Sequence, residues 1–207
     1  MSGTPHTRHL AGFQCLQFGP SDRSRPAILW LHGVGARGND ISLVAKYGLP
    51  AALLAARAAT NATVVCPQLE AHAEWQPLRV QSLVSTLRET HRNIVLIGFS
   101  LGGLGVCDLL CQGGPAADLN VTLAGRARDL PQVGQTGVRF LAVSGELDPW
   151  PQMGAFVRRV VELGGTAEEH IMAGQGHYIS ESGLIHERFQ TLIGSLGVGV
   201  RLSSGGG

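Results

Sequence analysis

Residues 93–103 read NIVLIGFSLGG, and the fold turns on how they are read. The run at 93–97 is aliphatic and short, as in a strand buried on both faces. Gly98, Ser100 and Gly102 then form G-x-S-x-G, and helix-like spacing of apolar residues follows. A serine on a sharp strand-to-helix turn must take positive φ, and its neighbours two positions away must be small enough for strand and helix to approach. Gly98 and Gly102 meet that demand. The stretch reads as strand, tight turn and helix, with the Ser100 hydroxyl presented at the turn.

Working outward, similar apolar runs recur at 27–31 (AILWL), 62–66 (ATVVC), 120–123 (NVTL), 139–144 (RFLAVS) and 168–172 (EEHIM). Between them, apolar residues spaced by three or four predict helices over 41–59, 78–91, 104–111, 151–163 and 182–196. Strands alternating with helices predict an α/β fold, an open and mostly parallel sheet flanked by helices on both faces. Residues 13–18 are expected to add an antiparallel edge strand. No repeat or linker divides the chain, so residues 1–202 form a single domain, and 203–207 (SSGGG) read as a flexible tail.

Composition narrows the function classes. The chain has 207 residues, 44% apolar and 15% charged, with 29 glycines, which suits many tight turns over one large core. Lys+Arg 16 against Asp+Glu 15 leaves a net charge of +1, so no footprint for nucleic acid or an anionic membrane is visible. Aromatic content of 5% leaves little for base stacking. Residues 1–10 carry no apolar signal core, and no apolar run approaches the ~18 residues of a membrane span. The expectation is a soluble cytoplasmic protein without membrane insertion. Cys15, Cys66, Cys107 and Cys111 form no C-x-x-C pair and read as free thiols; no metal site is expected.

A serine nucleophile needs a base to take its proton and an acid to orient that base. Where the serine sits on a strand-to-helix elbow, the chain order is serine, acid, histidine. After the strand at 139–144 comes GELDPW, which puts Asp148 in a strand-end loop; after the strand at 168–172 comes GQGH, which puts His177 in the next. Glu146 is the alternative acid. His170 falls within a strand and His186 within the last helix, while His72 and His91 precede the serine, so these four read as packing or surface residues. The developing oxyanion needs two amide donors. Leu101 N–H, at the start of the helix, is one; Val34 N–H, in the His32-Gly33-Val34-Gly35 loop after AILWL, is the other. His32 reads as the residue that holds this loop. Gly33, Gly35 and Gly38 also spell G-x-G-x-x-G, but polar Asn39 and Asp40 delay any helix and no acid closes the next strand, as a dinucleotide site would need. No cofactor is expected.

With LHGVGARGND, CPQ, GFSLGG, GELD and GQGH in this order, the chain resembles the α/β-hydrolase superfamily, over about residues 29–177. Within it the likeness is to small esterases of the phospholipase/carboxylesterase and dienelactone-hydrolase-like groups. The stretch KYGLP at 46–50, followed by VCPQ and Trp75, is similar to predicted peptidases and polyhydroxybutyrate-depolymerase-like esterases. The resemblance implies Ser100 as nucleophile, His177 as base, Asp148 as acid, and Val34 with Leu101 as oxyanion donors. Such proteins often carry more chain before the HG loop, so the sheet is expected to lack an outer strand. Only residues 125–137 separate two strands where such proteins commonly insert a cap, so an open cleft is expected, shaped by Trp75, Arg126, Trp150, Met153 and Tyr178. Its expected partner is a small-molecule ester, thioester or amide.

Overall fold

The computed structural model describes residues 4–113, 117–150 and 153–203. Residues 204–207 of the expected tail and the first two residues of the helix expected at 151–163 lie outside them. Eight strands form the main sheet: β1 (His6–Leu10), β2 (Phe13–Phe18), β3 (Ala27–Leu31), β5 (Thr63–Pro67), β6 (Ile94–Phe99), β7 (Leu119–Leu123), β8 (Arg139–Gly145) and β9 (Thr166–Met172). Their order across the sheet is β1-β2-β5-β3-β6-β7-β8-β9. From β5 to β9 all neighbours are parallel, while β2 runs antiparallel to both β1 and β5.

Alternation along the strands divides the core between two faces. Ile28, Trp30, Val95, Ile97, Val121 and Val143 point to one, against Leu49 and Leu53 of α1 (Gly48–Leu54) and Phe189 and Ile193 of α5 (Glu187–Gly194). Leu29, Leu31, Ile94, Leu96 and Ala142 point to the other. There they meet Val80 and Leu83 of α2 (Pro77–Arg88), Val106 and Leu109 of α3 (Leu101–Gln112), and Phe156 and Val160 of α4 (Gly154–Glu162). Burial on both faces is why β3 and β6 are continuously apolar rather than alternating.

Three expectations need correction. The sheet does not lack an outer strand: β1 pairs with β2 through a two-residue turn in which Ala11 and Gly12 both have positive φ (47° and 80°), the geometry that matches strand twist in a hairpin. Residues 13–18 are therefore the second strand, and the edge is β1, whose HTRHL sequence is mostly exposed and carries no apolar run. The single helix expected at 41–59 is instead a 3₁₀ turn (Ile41–Ala45), α1 and β4 (Ala58–Thr60). Gly48 at φ 65° interrupts the helix because a Cβ there would strike the Trp30 ring, and Ala56 at φ 55° ends it. β4 then pairs with β10 (Val200–Leu202). The helix expected at 182–196 is likewise divided, into a 3₁₀ turn (Ser182–Ile185) and α5, with the His186 side chain accepting from the Arg188 N–H as the cap between them.

Chain order reverses at β3, with β5 on one side and β6 on the other. In open parallel sheets a crevice forms at such a reversal, beyond the carboxyl ends of the strands. The loops that leave β3 and β6 there carry His32–Gly33 and Ser100.

Candidate active site

Ser100 lies between β6 and α3 at φ 54°, ψ −111°, a conformation rarely open to a residue with a side chain. Such strain costs on the order of 1–3 kcal/mol and persists only where the surroundings impose it. They do so here: the Ser100 N–H donates to Leu123 O at 2.9 Å, and its carbonyl accepts from the Leu104 N–H at 3.1 Å. Glycine is required around it because a Cβ at Gly98 would collide with the Gly102 carbonyl, and one at Gly102 with the Leu31 carbonyl.

Asp148 and His177 reach the serine from the loops after β8 and β9. His177 Nε2 stands 2.9 Å from Ser100 Oγ, and its Nδ1 is 2.8 Å from Asp148 Oδ2. The ionised Asp148 can only accept, so the Nδ1 proton donates to it and Nε2 is left to accept the serine proton. Asp148 is almost fully buried and its other oxygen accepts from the Trp150 N–H at 3.1 Å. The aspartate is thus held at two points before it orients the imidazole.

Glu146, the alternative acid, does something else. Its Oε2 accepts from the Gly174 N–H at 2.8 Å, while Leu147 N–H donates to Gln175 O at the same distance. These bonds join the Asp148 loop to the His177 loop. Close approach between them also demands Gly145, since a Cβ there would run into the Gly176 carbonyl.

On the opposite side the β3 loop leans over the serine: a Cβ at Gly33 would lie 3.3 Å from Ser100 Cβ. His32 holds this loop. Its Nε2 accepts from the Leu69 N–H at 3.1 Å, which leaves the proton on Nδ1, 2.7 Å from Gly33 O. Burial, helped by the nearby Arg37 charge, pushes its pKa down to about 4, so the ring is neutral. The loop continues as a 3₁₀ turn (Val34–Ala36) rather than opening into a long helix at the glycines. Val34 and Leu101 both border a cleft beside Ser100. The Leu101 amide is the first of α3, where the helix supplies no acceptor and the dipole favours negative charge.

This cleft, about 200 Å³, is walled by Val34, Arg37, Glu74, Leu104, Arg126 and Trp150. Arg126 stacks on Trp150, its guanidinium carbon 4.3 Å from the ring centroid. Of the five expected wall residues these two are in place, and Tyr178 stands exposed with its ring 5.8 Å from His177. Trp75 and Met153 need correction. Trp75 is buried under the β3 loop, donating Nε1–H to His32 O at 3.1 Å and packing on Phe13. Met153 is buried as well and opens on a different hollow, with Leu130 and Phe156. Arg37 and Glu74 also belong to the cleft, beyond the expected wall residues; the available signal for Arg37 was its place inside the glycine-rich loop, between Gly35 and Gly38. His170 and His186 stack on one another 4.8 Å apart, His91 faces Arg25 O, and His72 lies on an exposed turn, all apart from the Ser100 group.

Among the described residues no helix is long and apolar enough to cross a membrane. No protein-family model and no curated protein matches the sequence. Solved structures do. A thermostable esterase superposes with TM-score 0.63 at 17% identity, over 93% of this chain, which spans 61% of that protein's length. A carboxylesterase from Mesorhizobium loti gives 0.61 at 18% identity, covering 92% of this chain and 99% of that one. The protein Atu2452 of unknown function from Agrobacterium tumefaciens gives 0.61 at 22% identity, over 85% and 93%. Likeness at these identities speaks for the backbone, and with the strand order and the serine elbow it establishes that this chain has the α/β-hydrolase fold.

Proposed function

We propose that the protein is a serine hydrolase that cleaves a carboxylic ester or thioester through an acyl-enzyme. The observation that carries this reading is the unbroken line from Ser100 Oγ to His177 Nε2 at 2.9 Å and from His177 Nδ1 to Asp148 Oδ2 at 2.8 Å, on an elbow strained to hold it. A packing serine has no use for a positive φ, and the order carboxylate, imidazole, hydroxyl is the one a serine nucleophile needs.

In the reaction His177 Nε2 takes the Ser100 proton as Oγ attacks the substrate carbonyl. The oxyanion is received by the Val34 and Leu101 amides, with the α3 dipole behind the latter. Asp148 stabilises the imidazolium through Nδ1–H. The imidazolium then gives its proton to the departing alcohol or thiol, and the acyl group stays on Oγ. A water molecule, deprotonated by the same histidine, attacks the ester and releases the carboxylic acid with Ser100 restored. An amine leaving group would turn the same steps into an amidase or peptidase reaction, and loss of turnover would leave a ligand-binding protein on a hydrolase fold.

The test is covalent labelling with a fluorophosphonate, read by intact mass, followed by a panel of aryl esters, thioesters and anilides. One adduct on Ser100, absent in Ser100→Ala and slowed in His177→Ala, with turnover of esters or thioesters, is the expected result. No adduct on folded protein would overturn the reading, and turnover confined to anilides would replace it with an amidase.

A further inference from the structure

Several arginines of this chain are answered by a carboxylate. Arg57 pairs with Glu181, Arg79 with Glu70, Arg159 with Glu162, Arg188 with Glu168, and Arg128 with both Glu74 and Asp108. Arg37 and Arg126, the two that wall the cleft beside Ser100, have no such partner among the described residues, and none of the remaining residues is Asp or Glu. Arg37 Nε is buried and makes no hydrogen bond at all. With Nε closed off from solvent, the Arg37 donors that a ligand in the cleft can reach are those of its Nη atoms, which make no hydrogen bond among the described residues.

The Arg126 guanidinium sits over the Trp150 ring, its carbon 4.3 Å from the centroid, and its edges make no hydrogen bond or ion pair among the described residues. Those edges present paired N–H donors in the plane that matches a carboxylate. Glu74, the third charged residue of the wall, is committed to Arg128 at 2.7 Å. With Glu74 neutralised by Arg128, Arg37 and Arg126 leave the cleft wall positive, which favours an anionic group on the substrate.

We infer that the substrate is an ester or thioester bearing a carboxylate, which Arg37 and Arg126 hold while Ser100 attacks the carbonyl. This rests on the serine-hydrolase reading above and names the substrate class for that site. The cleft of about 200 Å³ gives a short acyl chain room beside Ser100. The class is therefore the half-esters and half-thioesters of short dicarboxylic acids.

The experiment compares kcat/KM for 4-nitrophenyl hemiglutarate and 4-nitrophenyl valerate, its uncharged counterpart, with spontaneous breakdown subtracted. Charge-assisted hydrogen bonds of this kind predict a preference of roughly tenfold to hundredfold for the anionic ester. The preference should shrink in high salt and fall toward unity in Arg37→Gln and Arg126→Gln. Free glutarate, on the wild-type protein, should inhibit valerate hydrolysis competitively and more strongly than inorganic phosphate, a measurement that does not depend on the variants folding. Equal rates on both esters by protein that labels at Ser100 would overturn the inference and leave the hydrolase reading standing. Stronger inhibition by phosphate would overturn the carboxylate assignment, and absence of labelling would remove the reading beneath it.

Discussion

Acid should loosen this protein through one imidazole. His32 is 3% exposed, and its two ring nitrogens are committed in opposite senses, Nδ1 as donor to Gly33 O and Nε2 as acceptor from Leu69 N–H. A second proton would have to sit on Nε2, face to face with another N–H, in a site that burial has already made hostile to charge. In the unfolded chain the ring titrates near 6.5; in the folded chain its pKa is pushed down to about 4. As pH falls below 6.5 the unfolded state gains a proton that the folded state refuses. The stability of the neutral ring is thus complete above 6.5 and is lost progressively toward pH 4. A separation of about 2.5 units corresponds to roughly 3 kcal/mol in all, and about 2 kcal/mol of it is gone by pH 5. That is a large share of the ~5–15 kcal/mol typical of a domain. Urea unfolding followed by tryptophan fluorescence at pH 7.5, 6 and 5 should show this loss in the wild type. In His32→Gln, which keeps a side-chain acceptor for Leu69, the pH dependence should be shallower by about that amount, since every other titrating group is common to both proteins. Parallel pH dependences would refute the argument.

Asp148→Asn should cut kcat on aryl esters by on the order of 10³–10⁴, because an amide lets the imidazole turn its wrong nitrogen to Ser100; Glu146→Gln should slow fluorophosphonate labelling far less, and the reverse ranking would exchange their roles. Gly145→Ala drives a methyl into the Gly176 carbonyl. It should cost on the order of 1–3 kcal/mol, read as a lower Tm, together with slower labelling of Ser100, and an unchanged Tm would count against the tight packing of the two loops. Burial pushes the Cys15 thiol up to about 12 and Cys111 to about 11, and holds Cys66 and Cys107 well above the ordinary value. Iodoacetamide at pH 8 should therefore spare Cys15, Cys66 and Cys107 in folded protein over a period that modifies all four in denaturant; rapid modification of any of these three would show a thiol more exposed than this packing allows.

The central strands β3 and β6 were legible because they lie between two layers and must be apolar on both faces, leaving the runs AILWL and NIVLI that no helix pattern explains. Ser100, Asp148 and His177 were legible for a related reason. Each lies in the loop or turn after a strand of the parallel sheet, and glycine marks where backbones must touch. Gly98, Gly102 and Gly145 are positions where the sequence records the third dimension. β1 escaped notice because an edge strand keeps one face in water and needs no apolar run. The break at Gly48 depends on the distant Trp30 ring, and β4 on pairing with β10 near the other end of the chain.

By itself, then, the sequence determined the α/β alternation, the serine elbow and the order of the three candidate catalytic residues, because backbone conformation and burial act on each short segment locally. Only the tertiary structure decided that Glu146 braces Gly174 while Asp148 faces the imidazole, that Trp75 is buried under the β3 loop while Trp150 stacks on Arg126 at the cleft, and that Arg37 meets no carboxylate. Those outcomes depend on which side chains from remote segments come within hydrogen-bonding distance, and that is set by the packing of loops against one another rather than by the preferences of any residue.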